Sequence, residues 1–149
     1  MLKYRQYKRV QDGEYKTKRR MEMETIWCMN ANQGQISEHF KASEFQCKDG
    51  TKEVLIAQNL LDVLEKIRKH FDAEVHINSG YRTPKWNEKV GGTANSYHCK
   101  GMAADIWVKN HTNVEVARYA NSIMEKGGII RYKNFTHIDV REEKYRKGV

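Results

Sequence analysis

No apolar run in this chain approaches the roughly 20 residues that a bilayer-crossing helix needs, and no apolar stretch follows the basic opening Met-Leu-Lys-Tyr-Arg-Gln-Tyr-Lys-Arg-Val. Neither a transmembrane segment nor an ordinary secretory signal is expected. Cysteine is scarce as well: Cys28, Cys47 and Cys99 are odd in number and show no C-x-x-C spacing. That argues against a disulfide framework and a cysteine zinc ribbon, and favours free structural thiols. Internal repeats and low-complexity stretches are missing, which removes solenoids and arrays. Nor are apolar residues depleted as in disordered chains, since 39% are hydrophobic and 31% charged. At 149 residues the chain suits one domain with a real core and is short for two.

What is abundant is positive charge. A formal +8 and a pI near 9.4 favour some polyanion. Nucleic acid, a membrane surface or an anionic wall polymer would each satisfy the electrostatics, but nothing in the chain resembles a base-reading motif, so no specific nucleic-acid partner is expected. Much of the excess sits near the ends, at Lys16, Lys18, Arg19 and Arg20 and again at Lys144, Arg146 and Lys147. Such charge reads as a solvated face or a tether. Residues 1–34 are accordingly set apart as a basic N-terminal extension, 142–149 as a basic tail, and 35–141 as the folded domain. The sequence carries no signal for oligomeric state.

Within that domain, Leu55, Leu60, Leu61, Leu64, Ile67 and Phe71 recur at helical spacing and predict a helix over 53–70. Glu74 to Ser79 alternates as a half-buried strand. Thr83 followed by Pro84 opens a short helix that stops at Val90-Gly91-Gly92. Ala103 to Val108 reads as a buried strand. Thr112 and Glu115 form a capping box for a helix that ends at Gly127-Gly128. Ile129 to Tyr132 and Phe135 to Val140 close the domain as two strands. The expected fold is a small single α+β domain with a central, largely antiparallel sheet flanked by helices.

Three segments are polar where a plain core would be apolar: 79–83, 96–105 and 136–140, each at or beside the end of a predicted strand. His98 and Asp105 flank a loop of small residues, Gly101, Ala103 and Ala104, that lets the backbone fold back. With His137 on a neighbouring strand they make two nitrogens and one oxygen, a ligand set that zinc takes in catalytic sites while keeping a fourth position open. Manganese or iron would accept similar donors. Spacing alone leaves this reading beside the plainer one of ordinary structural histidines, to which His39, His70, His76 and His111 are assigned. Cys99 is set aside because adjacent side chains on an extended segment point to opposite faces.

The run Ser79-Gly80-Tyr81-Arg82-Thr83-Pro84, then Asn87, Gly91-Gly92, Asn95-Ser96, His98-x-x-Gly101-x-Ala103-x-Asp105, Gly128-Ile129-x-Arg131-Tyr132 and Phe135-x-His137-x-Asp139-Val140 closely resembles the M15-type zinc peptidases. These are D,D-carboxypeptidases and peptidoglycan endopeptidases of bacteria and phages, which share a fold with the hedgehog signalling domain. The likeness spans about residues 35–141. It implies one zinc ion per chain held by His98, Asp105 and His137, with Arg82 gripping a substrate carboxylate and Ser96 and Tyr97 beside it as substrate-binding candidates. Many members carry a glutamate three residues before the last zinc histidine, or a histidine two before it; here those positions are Asn134 and Phe135. Asp139, two residues after His137 on one strand face, either activates water or holds the second nitrogen of a ligand. Tyr97 replaces a glutamine common in relatives, and its phenol either stabilises an oxyanion or packs on the loop. The resemblance implies hydrolysis of amide bonds in peptidoglycan stem peptides at the bacterial cell wall. Lacking a signal peptide, the chain would arrive there by lysis, a dedicated secretion machine or delivery within a larger particle. The alternative is a zinc-stabilised module that binds cell wall or a protein without turnover.

Overall fold

The computed structural model describes residues 3–6, as backbone, and residues 25–149. Two sheets organise the described residues. The first is antiparallel, in the order β1 (Lys3–Gln6), β2 (Thr25–Asn30), β3 (Glu53–Ala57). The second has five strands: β4 (Val75–Ser79), β5 (Ala103–Val108), β7 (Thr136–Asp139), β6 (Gly128–Arg131) and β8 (Tyr145–Lys147), all antiparallel neighbours except the parallel pair β6 and β8. With α1 (Gln58–Phe71), α2 (Pro84–Lys89) and α3 (Asn113–Ile123), the molecule is a small α+β domain.

The helix expected over 53–70 is in fact two elements. Residues 53–57 are strand β3, and α1 begins only at Gln58. Val54 and Ile56 are buried and Leu55 is half-buried, a period of two that the helical spacing of Leu55 with Leu60 concealed. The strand exists because β2 pairs with all of it, from Ile26 opposite Ala57 to Asn30 opposite Glu53. Residues 25–30, within the stretch set apart as an extension, therefore lie in the sheet next to the domain core. The expected basic tail likewise contains β8. There Arg146 donates to Asn121 Oδ1 and to the carbonyls of Gly127 and Met124, each at 2.6 Å, which ties the tail to the end of α3.

The core forms where Leu60, Leu64 and Ile67 of α1 and Val116, Ala117 and Ala120 of α3 meet Ala104, Ile106 and Val108 of β5 and Ile138 of β7. Each fully buried Leu, Ile or Val side chain here contributes about 2 kcal/mol relative to exposure, and each alanine less. The capping box at Thr112 and Glu115 is present, and Thr83 caps α2 by accepting from Trp86 N at 3.2 Å. Strand alternation then decides the site. With Ala104, Ile106 and Ile138 facing the helices, Ala103, Asp105, His137 and Asp139 face the other way. In the β5 and β7 register Asp105 lies opposite His137 and Ala103 opposite Asp139.

Candidate metal centre

His98 comes to this sheet face from a single 3-10 turn, Tyr97–Lys100, and not from the extended segment expected. Ser96 caps the turn by accepting from His98 N at 3.3 Å, and Gly101 closes it in the left-handed region at φ 71°. A Cβ on Gly101 would come within 2.6 Å of the Leu55 backbone, and Ala57 N donates to the Gly101 carbonyl at 2.7 Å, so the turn is pressed against β3. His98 is buried. Its Nδ1 donates to the Gly80 carbonyl at 2.8 Å, which turns Nε2 toward Asp105 Oδ1, 3.3 Å away. Gly80 in turn has no room for a side chain, because a Cβ would lie 2.7 Å from Phe45 Cα.

His137 turns Nδ1 to Asp105 Oδ1 and Nε2 to Asp139 Oδ2, each at 2.8 Å. Ligand-type atoms of His98, Asp105 and His137 all lie within 4.8 Å of one another. A carboxylate only accepts, so an imidazole between two of them must carry both protons unless a cation replaces one. Burial opposes charge on His137, but the two carboxylates outweigh it and raise the ring to about 8. Burial also pushes Asp105 up, and hydrogen bonds from His137 and His98 more than reverse this, holding it well below the ordinary carboxylate range. The pocket thus favours positive charge at the point where the three residues converge. Two nitrogens and an oxygen fit zinc.

Asp139 is fully buried, and both its oxygens are occupied. Oδ1 accepts from Gly128 N at 3.1 Å, Arg141 N at 3.2 Å and Arg141 Nε at 2.7 Å; Oδ2 accepts from His137 Nε2 and from Arg141 Nη2 at 2.5 Å. Burial again raises its carboxyl, but Arg141 and His137 keep it ionised and well below the usual range. Arg82 lies on the opposite flank. Its Nε donates to Ser79 Oγ at 2.9 Å, Nη1 to Asn87 Oδ1 at 3.3 Å and Nη2 to Asp105 Oδ2 at 3.3 Å. Of five guanidinium N–H groups, two remain for a ligand. Ser96 is buried in its cap. The Tyr97 ring lies under Arg141, 4.5 Å from its guanidinium carbon, and under Lys100 Nζ at 4.9 Å. Asn134 is exposed in the turn between β6 and β7, and Phe135 stacks on Tyr132.

The sequence-predicted set is therefore gathered in one place, with Ser96 and Tyr97 turned to support rather than inward. Asn87, Gly80 and Arg141 were missed as participants, although Arg141 stands two residues beyond Asp139 and Asn87 lies inside a quoted motif. Cys99 is outside the cluster. A second group among the described residues, Glu38, His39 and Glu65, also brings donor atoms together. Lys69 pairs with Glu38 at 2.6 Å, and Ser37 and His39 bond Glu65, so that group is a self-satisfied ion network.

Two imidazoles and a carboxylate thus converge on one face of the sheet, flanked by an arginine with donors to spare, an arrangement of the kind that metallopeptidases use. The Peptidase M15 family model matches residues 38–139, most of the chain, and the protein belongs to that family. No curated protein matches it. Among the described residues no helix is long and apolar enough to cross a membrane.

Proposed function

We propose that this protein is a zinc-dependent peptidase that hydrolyses amide bonds in peptidoglycan stem peptides at the cell wall of a bacterium, encoded by a bacterium or a phage. The observation that carries the reading is the convergence of His98 Nε2, Asp105 and His137 Nδ1 with the Arg82 guanidinium against the far oxygen of Asp105. These three residues would hold a zinc ion, which when bound would supply a Lewis acid for an amide carbonyl and lower the pKa of its water toward neutrality.

The rest is done by the chain. Gly80 fixes the His98 tautomer, so its Nε2 lone pair points inward. Asp139 does the same for His137 by accepting from Nε2, which frees Nδ1 for the ion. This favours Asp139 as the residue that orients a ligand over Asp139 as the base, because its oxygens already accept five hydrogen bonds and the carboxylate is sealed from solvent. Arg82 places a substrate carboxylate beside the ion; its fork suits a bidentate grip on the free carboxylate of a stem peptide. Ser96 acts on substrate only indirectly, by holding the His98 turn.

The decisive experiment measures zinc content of purified protein and digests purified peptidoglycan with wild type and His137→Ala, reading new termini by mass. One zinc per chain with zinc-dependent cleavage is expected, and the products distinguish carboxypeptidase from endopeptidase. Stoichiometric zinc with no product from any wall type would support the binding-module alternative, which the absence of a glutamate at Asn134 favours. No bound metal would end the proposal.

A further inference from the structure

The metal-site reading accounts for Asp139 but not for what holds Asp139. A carboxylate with no exposed surface needs compensating donors, or it takes up a proton or swings away. Arg141 supplies three of the five, two from its guanidinium and one from its backbone. That guanidinium is itself placed by two aromatic rings: its carbon lies 4.5 Å from the centroid of Tyr97 and 4.9 Å from that of Tyr145. Both separations are within cation–π range.

Tyr97 arrives on the turn that carries His98. Tyr145 arrives on β8, where it pairs with Gly128 and its N donates to the Gly127 carbonyl at 3.0 Å. Gly128 cannot carry a side chain, since a Cβ there would run into the Asp139 carboxyl group. A chain of contacts therefore runs from the C-terminal strand to the site: Tyr145 and Tyr97 to Arg141, Arg141 to Asp139, Asp139 to His137 Nε2, and His137 Nδ1 to Asp105.

We infer that Arg141, set against Tyr97 and Tyr145, is a positioning residue of the metal centre: by fixing Asp139 it determines that His137 presents Nδ1 to the ion. The inference rests on the reading of His98, Asp105 and His137 as zinc ligands. It makes residues 142–149 a working part of the site, because β8 carries one of the two rings. Without the Arg141 guanidinium the carboxylate loses its two strongest donors and no longer anchors the far side of the imidazole. The ring is then free to turn, which withdraws Nδ1 from Asp105.

The test uses the full chain and zinc itself. Zinc affinity is measured by competition with a chromophoric chelator, and ligand geometry by the visible absorption of the cobalt(II)-substituted protein, for wild type, Arg141→Ala, Arg141→Lys, Tyr145→Ala and Tyr145→Phe. Arg141→Ala is expected to weaken zinc binding about 10- to 100-fold and to change the cobalt spectrum. Arg141→Lys, which keeps the charge but loses the paired donors, should fall between it and wild type. Tyr145→Ala should lose severalfold, whereas Tyr145→Phe, which keeps the ring face, should match wild type. Arg141→Ala with wild-type affinity and spectrum overturns the inference. If that variant does not fold, Tyr145→Ala decides alone, and an unchanged affinity and spectrum there overturns it equally. A wild-type chain that binds no zinc refutes the underlying site reading instead, so the two failures are distinguishable.

Discussion

With a chelator present, raising the pH should weaken this fold through His137. The ring lies between Asp105 and Asp139 at 2.8 Å from each, so without a cation beside it the imidazole carries both protons. Burial works against that charge, but the two carboxylates prevail and raise the ring from its ordinary 6.5 to about 8. A group whose proton is held more tightly in the folded state stabilises that state below its unfolded value. The stabilisation is complete below about pH 6.5 and is lost as the pH climbs through about 8. The span between the two values corresponds to about 2 kcal/mol. Asp105 and Asp139 have the opposite sign. Burial raises both, but their hydrogen-bond partners outweigh it and hold them below the usual carboxylate value of 3.8, so their contribution is present above that value and constant across this window. The assay is urea unfolding in excess chelator at several points between about pH 6 and pH 9, for wild type and for His137→Gln, which cannot take up the proton. The stability difference between the two should shrink by about 2 kcal/mol from the acid to the alkaline end. A difference that stays flat would refute the placement of His137 between two ionised carboxylates. With zinc supplied the trend inverts, and affinity should rise through the same window as the ion displaces that proton.

Arg82→Lys should keep zinc binding and lose about 30-fold in kcat/KM, roughly 2 kcal/mol, on a peptide with a free carboxylate. The loss should vanish when that carboxylate is amidated, and an equal loss on both substrates would count against the clamp. Gly101→Ala forces a side chain into the left-handed region and onto the Leu55 backbone, so denaturant unfolding should show a loss on the order of 2–4 kcal/mol, accompanied by weaker zinc binding. Thr112→Ala removes the capping box of α3, on the helix side of the sheet away from His98, Asp105 and His137; it should cost about 1 kcal/mol in the same assay and leave zinc affinity unchanged.

Legibility followed the range of the interactions. Strand β5 was readable to the residue because Asp105 alone breaks its apolar run, and the start of α3 because Thr112 and Glu115 lie three apart; its end was not, since the helix stops at Ile123, short of Gly127. Strand β3 was not readable: its partner lies more than twenty residues upstream across a polar stretch, and Leu55 fits the period of the following helix as well as that of a strand. The three converging side chains, His98, Asp105 and His137, were legible as motifs, since each is a polar residue set in a short strand or a glycine-closed turn that shows in the sequence. Their supports were less so. The Gly80 carbonyl is backbone and has no residue-type signal. Asn87 lies inside a quoted motif yet acts through Arg82. Tyr145 reaches Arg141 only because β8 adds in parallel to β6, and a three-residue strand in a charged tail has no periodicity to read.

Asp105 and His137 are cross-strand partners, so correct strand alignment and assembly of the site are a single event. A slip of one residue between β5 and β7 would send one of the pair into the helix-facing core and leave the other alone in the open, so a misaligned sheet has no cation site to stabilise it. An ion that bound only the aligned pair would act as a proofreader of folding: it would leave slipped chains at the mercy of proteolysis and reward the one alignment that gathers the site. By the same logic, one-residue insertions or deletions within either strand should be among the least tolerated changes in this protein, while the turn between β6 and β7 should remain open to variation.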